Sequence, residues 1–308
     1  MKIKIGTRGS KLALWQAYYV QDKLTTIGIE TEIVIIETKG DKILDRSLSK
    51  IGSKGVFTEE LEEQLRSGEI DIAVHSAKDL QSSLHDDFQI IAFTEREKPN
   101  DVLVSHDRSL SLKSGKEFVV GTSSTRRIAV LKNLYPHIKT VDMRGNLQTR
   151  LQKLTDGHCD ALLLAFAGVH RMDYDDKIAE VLLLDEFTPA VGQGSVAIES
   201  ATKLAPEKIA LIRKALNHEE TESCLRAERA FLKKLEGGCS IPVFGLATLS
   251  GELLEMRGGI VSLNGSESIR KTSTGNSNNP EKLGYDLAEK LLAAGADKIL
   301  KEIKNQNK

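Results

Sequence analysis

Short runs of β-branched residues alternate with amphipathic stretches through the first 190 residues, and no other feature restricts the fold as strongly. Lys2–Thr7 alternates with period two, Thr31–Thr38 is rich in β-branched residues, and Ile70–Val74 and Gln89–Phe93 have the same strand-like character. Between them, Ser10 is placed to cap a helix on which Leu12, Trp15, Tyr19 and Leu24 recur at helical spacing. Thr58 caps another, running through Leu61 and Leu65 to a stop at Gly68. The alternation predicts a mainly parallel sheet covered by helices. After the polar link 96–100 the pattern restarts. Strands are expected at Val102–Ser105, Glu117–Gly121, Ile138–Asp142 and Asp160–Leu164, with helices following Ser123, Asn146 and Ala165.

Pro189-Ala-Val-Gly-Gln-Gly194 reads as a second hinge, and beyond Glu219 the pattern changes. A helix to Leu235, a Gly-Gly-Cys turn, strand-like stretches with loops at Asn264-Gly265 and 275–280, and a last helix around 281–295 describe an α+β tail domain. At about 150 residues per domain, 308 residues give two domains, with room for a third. The 40% hydrophobic content supports a sizeable core and excludes disordered and fibrous classes.

Forty-three basic residues against 44 acidic ones argue against a general nucleic-acid binder, which needs a basic excess. The longest apolar stretch, near 161–167, is far too short to span a membrane, and no signal-peptide segment follows Met1. Cys159, Cys224 and Cys239 are odd in number and far apart, which makes a disulfide framework unexpected. The expectation is a soluble cytoplasmic protein.

The strand ends share one chemistry. They read Thr7-Arg8-Gly9-Ser10, His75-Ser76-Ala77-Lys78-Asp79, Thr122-Ser123-Ser124-Thr125-Arg126-Arg127 and Met143-Arg144-Gly145-Asn146, with Arg150 following. Ligands of open α/β sheets sit beyond the carboxyl ends of the strands, where helix N-terminal amides and hydroxyls favour anions. Arg126 and Arg127 fall in a helix's first turn, where cations oppose the macrodipole by about 0.3–1 kcal/mol each. A bound carboxylate or phosphate would remove that conflict. Residues 121–150 carry six Lys or Arg and one acid, Asp142, so near-neutrality conceals a basic face suited to a small polyanion. Solvated surface arginines are the plainer reading of any one of them. Asp79 beside Lys78 is either a surface ion pair or, inside an anion site, a carboxylate that stabilises a developing positive charge; it is the catalytic candidate, with Lys78 its neighbour.

Cys239 follows two glycines that ease exposure and close ligand approach, whereas Cys159 and Cys224 read as buried hydrophobes. Gly192-Gln-Gly194-Ser-Val-Ala197 fits a dinucleotide-binding spacing, but Pro189 stands where the strand should run. No P-loop and no Cys-x-x-Cys is present, and His158-Cys159 lacks zinc-ligand spacing, so no metal is expected. Trp15 is expected in the core.

Together these motifs resemble the porphobilinogen deaminase (hydroxymethylbilane synthase) family over nearly the whole chain. The resemblance is carried by GTRGSKLALWQA at 6–17, KGVFTEELE at 54–62, DIAVHSAKDL at 71–80, GTSSTRR at 121–127 and RGNLQTRL at 144–151. It continues through LAFAGVHRM at 164–172, PAVGQGSVAIE at 189–199 and LEGGCSIPV at 235–243. It implies two doubly wound domains like those of periplasmic binding proteins, with the active cleft between them, and a small C-terminal α+β domain. The expected division is 1–98 with 195–215, then 99–190, then 219–305.

The resemblance also implies a dipyrromethane held through a thioether on Cys239, and addition of four porphobilinogens to it with loss of ammonia. It assigns Asp79, Lys78, Ser123, Ser124, Arg126, Arg127 and Arg144 to the cofactor. Arg8, Ser10, Arg126, Arg144, Arg150, Arg171 and Phe57 go to the substrate, and Lys50 and Lys54 to a mobile loop within 39–55. A monomer is implied, with no nucleic-acid or membrane partner. Thr125, Gln81, Ser240 and Phe244 depart from the common pattern without removing a charged or covalent group. The competing reading is a non-catalytic cytoplasmic anion-binding module with a two-domain cleft.

Overall fold

The computed structural model describes residues 2–42, 58–238 and 240–306, which form two compact units. The first gathers residues 2–42, 58–97 and 194–222, and the second residues 98–193 and 223–306.

In the first unit, β1 (Lys2–Thr7) leads through Ser10 into α1 (Lys11–Thr26) and back to β2 (Glu30–Ile35). The Ser10 hydroxyl accepts from the Ala13 N–H at 3.3 Å, so the expected cap forms. Ala17, Val20 and Leu24 place one face of α1 against Ile3, Ile5, Ile72 and Val74 of the sheet. Trp15, expected in the core, is only partly buried and stacks on Tyr19. After α2 (Glu59–Ser67), which stops at left-handed Gly68, come β3 (Ile72–Ser76) and β4 (Phe88–Phe93). Leu61 and Leu65 of α2 cover the opposite sheet face beside Ala73. Thr58 occupies the expected cap position of α2 without a side-chain cap bond.

The fifth strand, β10 (Val196–Ala201), arrives from more than 100 residues downstream and is followed by α6 (Pro206–Leu216). The strand order is β2-β1-β3-β10-β4, with β1 parallel to β2 and β3, and β10 antiparallel to both β3 and β4. Four of the five strands therefore run in one direction, as expected of a mainly parallel sheet, and β10 alone is reversed.

The second unit repeats this plan. Its five-stranded sheet has the order β7-β6-β8-β5-β9, formed by β5 (Asp101–Val104), β6 (Val119–Gly121), β7 (Lys139–Val141), β8 (Ala161–Ala165) and β9 (Ile178–Val181). Again the fourth strand, β5, runs antiparallel to its two neighbours. The helices α3 (Thr125–Leu134), α4 (Leu147–Thr155) and α5 (Phe166–His170) follow β6, β7 and β8 as expected.

The same unit holds α7 (Glu219–Lys234) from residue 223 onward, and a three-stranded meander of β11 (Val243–Ser250), β12 (Leu253–Val261) and β13 (Ser268–Asn276). Helix α8 (Pro280–Leu291) then continues through a kink at Gly295 into α9 (Asp297–Gln306), beyond the single last helix expected. Phe244 and Val261 of the meander share a core cluster with Leu103, Val120 and Phe187 of the five-stranded sheet side. The Glu228 carboxylate on α7 is fully buried and accepts backbone N–H groups from Gly192 and Ala247, each at 2.8 Å.

The glycines of the false dinucleotide motif serve the backbone. Gly194 has φ +99°, and a Cβ there would lie 2.3 Å from the Glu97 carbonyl oxygen, an atom held in place by its own chain. Gly194→Ala is expected to destabilise the first unit by roughly 2 kcal/mol or more, measured by chemical denaturation. A loss below about 0.5 kcal/mol, the scale of an ordinary surface substitution, would refute it.

Candidate functional site

In the first unit, β1 and β3 are parallel neighbours, so Arg8 and Ser10 leave the sheet at the same end as Ser76, Lys78 and Asp79. The Ser76 hydroxyl accepts from the Gln16 side-chain amide at 2.9 Å. Ala77 donates its N–H to Ser195 O at 3.0 Å, and Leu80 is buried, so the single 3-10 turn Ala77–Asp79 is pinned on both sides. Asp79 itself points to an exposed position and Lys78 is half-buried.

Beneath this turn lies a pair that sequence reasoning missed. His75 Nε2 is 2.9 Å from Glu199 Oε2, and both side chains are buried. Burial and the Glu199 charge push the Glu62 carboxyl above its ordinary value. The only sequence signal was a glutamate inside the apolar run Val196–Ala201, whose pairing with β3 a local pattern does not reveal.

In the second unit, β6, β7 and β8 are mutually parallel and deliver three loops to one sheet edge. After β6, the Ser124 hydroxyl caps α3 by accepting from the Arg127 N–H at 3.4 Å, and the Ser123 hydroxyl accepts from the Met143 N–H at 3.0 Å. A hydroxyl that accepts a backbone N–H keeps its own proton for an anion. After β7, Gly145 adopts φ +111° and the Asn146 side chain caps α4 through the Thr149 N–H. Arg150 donates through Nε to Gly145 O at 2.9 Å, and Lys153 donates to Arg144 O. Among the described residues Arg144 Nη1 is buried without a hydrogen-bond partner. Arg171 ends α5, the helix that follows β8.

Arg126 and Arg127 differ from expectation. Both guanidinium groups are buried, and their acceptor is internal: Asp101, with Arg126 Nη2 and Arg127 Nη2 each at 2.7 Å. The macrodipole conflict read from the sequence is thus relieved by this chain's own carboxylate. Asp101 reaches the edge because β5 runs antiparallel, which puts its first residue opposite Ala165, the last of β8. In the sequence it looked like the end of a polar link.

Burial alone would raise the Asp101 carboxyl, but the charges and hydrogen bonds of Arg126 and Arg127 outweigh it and hold it at about 2. Burial lowers the Arg126 guanidinium, against the pull of Asp101. A carboxylate with a depressed folded pKa stabilises the fold fully above its unfolded value near 3.9, and loses that contribution as pH falls through the folded value. Asp101 should therefore contribute about 2 kcal/mol above pH 5, lost progressively between pH 4 and 2. Carboxyl ¹³C titration should place its midpoint near 2. A midpoint above about 4, the unperturbed value, would refute the pairing.

Cys239, Phe57, Lys50 and Lys54 lie outside the described residues. Cys159 and Cys224 are buried, and burial raises the Cys159 thiol, as expected of inert cysteines. Among the described residues no cluster of His, Cys, Asp or Glu could hold a metal, and no helix is long and apolar enough to cross a membrane.

Comparison with known proteins adds an independent result. Residues 3–207 match the family model described as porphobilinogen deaminase, dipyromethane cofactor binding domain, and residues 222–293 match porphobilinogen deaminase, C-terminal domain. The chain is 59% identical over 302 residues to the porphobilinogen deaminase of Cytophaga hutchinsonii, covering 98% of this chain and 97% of that protein. It is 52% identical over 307 residues to that of Desulfosudis oleivorans, covering 99% of each. Among solved structures, the methionine-binding protein MetQ aligns with 70% of this chain and 89% of its own, at 14% identity and a TM-score of 0.44.

Proposed function

This chain belongs to the porphobilinogen deaminase family, and from that premise we propose how its own residues carry out the family's reaction. The enzyme condenses four porphobilinogen molecules head to tail on a covalently bound dipyrromethane, releasing ammonia at each addition, and water frees hydroxymethylbilane for tetrapyrrole biosynthesis. At each addition the bond from methylene carbon to nitrogen breaks, a carbon–carbon bond forms to the preceding ring, and that ring's α-proton leaves.

The chain's donors fit such a polycarboxylate. Each pyrrole carries an acetate and a propionate, and the observation that carries the site assignment is the buried, partnerless Nη1 of Arg144. It sits at the edge where Ser123 and Ser124 still hold hydroxyl protons to donate. A buried N–H without an acceptor is costly, and a ligand carboxylate removes the cost. Arg144, Ser123, Ser124, Arg126 and Arg127 are assigned to the dipyrromethane, with Asp79 and Lys78. Arg8, Ser10, Arg126, Arg144, Arg150, Arg171 and Phe57 are assigned to incoming porphobilinogen, and Lys50 and Lys54 to a covering loop.

Bound dipyrromethane supplies a nucleophilic ring carbon. Asp79, exposed on its pinned turn, accepts pyrrole N–H groups and stabilises the positive charge that develops as ammonia departs. Cys239 is assigned the thioether: its thiolate sulfur bonds to the methylene carbon of a first porphobilinogen as that carbon's bond to the departing ammonia nitrogen breaks. The three-way division at 1–98 with 195–215, 99–190 and 219–305 belongs to this reading; the separate three-stranded meander supports its last part. So do a monomeric state and a cytoplasmic location, both supported by the family resemblance. The anion-binding module finds no observation in its favour, since it gives Asp79 and Cys239 no task.

Intact mass tests the cofactor assignment. Freshly purified protein, or protein incubated with porphobilinogen, should carry two linked pyrrole units on the peptide containing Cys239. A Cys239 peptide that gains nothing after incubation would overturn the assignment.

A further inference from the structure

We propose that Asp101 is a positioning residue for carboxylate recognition in the second unit, acting through Arg126 and Arg127. This inference rests on the site reading above and extends it to a residue with no ligand contact of its own.

The Asp101 carboxylate is fully buried and accepts from four donors. They are Arg126 Nη2 at 2.7 Å, Arg127 Nε at 3.1 Å and Nη2 at 2.7 Å, and Gln193 Nε2 at 3.0 Å. Each guanidinium has a second anchor on a backbone carbonyl, Arg126 Nη1 on Thr188 O at 3.0 Å and Arg127 Nη1 on Leu163 O at 2.9 Å. A planar cation held by a carboxylate on one side and a carbonyl on another has one orientation left. Two long side chains are thus ordered before any ligand arrives, and that ordering cost is not charged to binding.

The charge count adds a second consequence. Among the described residues, one carboxylate against two guanidinium groups leaves one positive charge uncompensated in a buried setting. It lies in the first turn of α3, at the edge that also carries the partnerless Arg144 Nη1. Removal of the Asp101 charge raises the surplus from one to two. Simple electrostatics then predicts tighter carboxylate binding, whereas loss of orientation predicts weaker binding. The sign of the effect separates the two.

The experiment uses the purified holoenzyme, with KM for porphobilinogen and kcat measured separately and folding followed by thermal melting. Asp101→Asn should raise KM tenfold or more, change kcat less than threefold and keep a cooperative melt. Asp101→Glu keeps the charge but displaces the carboxyl by one methylene, and should also raise KM. An unchanged or lowered KM in folded Asp101→Asn overturns the proposal, and so does failure of both variants to fold, which would make Asp101 purely structural. Arg144→Gln, measured alongside, separates the two levels of inference. If it raises KM while Asp101→Asn does not, the positioning role alone fails. If neither moves KM, the site reading fails with it.

Discussion

Cys239→Ser is expected to leave a folded chain that never carries the two pyrrole rings and whose turnover falls by roughly 10³-fold or more, the scale of losing a covalent attachment residue. A serine hydroxyl is almost wholly protonated at neutral pH, whereas a thiol near pKa 8.5 supplies a usable thiolate fraction. The residues on either side are held by main-chain bonds. Gly237 donates to Leu232 O at 2.9 Å and Ile241 donates to Gly238 O at 3.0 Å, which close the backbone on either side. Glu236 adds a left-handed residue at φ 50°. Intact mass, a thermal melt and hydroxymethylbilane formation measured on one preparation settle the outcome. Ring attachment in the serine variant, or turnover near that of the parent, would refute the assignment.

Asp79→Ala is expected to fold normally and to lose about 10²–10³ in kcat, the usual effect of removing a preorganised group from a site of developing charge. The side chain is exposed, and the turn is held by the Ala77 N–H on Ser195 O and by buried Leu80, so stability should barely change. Asp79→Asn keeps the shape and removes the charge. If kcat falls comparably in both variants, the charge is the operative property. Retention of near-normal turnover by Asp79→Ala would transfer the role to another group.

Much of the molecule was legible from local pattern. The Ser10, Ser124 and Asn146 caps act where a short polar side chain precedes a periodic apolar run, because capping involves atoms only three residues apart. The parallel strand ends bearing Arg8, Lys78, Asp79, Ser123 and Arg144 were readable for the same reason, since each follows a strand directly. Strands β9 and β10 and helix α6 were missed. Ile178–Val181 lies in an acidic stretch, and Val196–Ala201 follows directly on the hinge at 189–194.

The direction of a strand relative to its neighbours is a long-range property. Val196 pairs with Ser76 across 120 residues, and nothing in either segment encodes that they run antiparallel. The same holds for Asp101. Beside Asn100 it looks like a link residue, and only the antiparallel course of β5 sets it opposite Ala165 and under the two arginines of α3.

By itself the sequence determined the chemistry on offer at the strand ends, the helix starts at Ser10 and Asn146 and the family, all written in contiguous residues. Tertiary structure alone decided which charges are already spent. It paired Arg126 and Arg127 with Asp101, set His75 against Glu199 and left Arg144 Nη1 without an acceptor, because burial and partnership depend on strands that meet only when the sheets assemble.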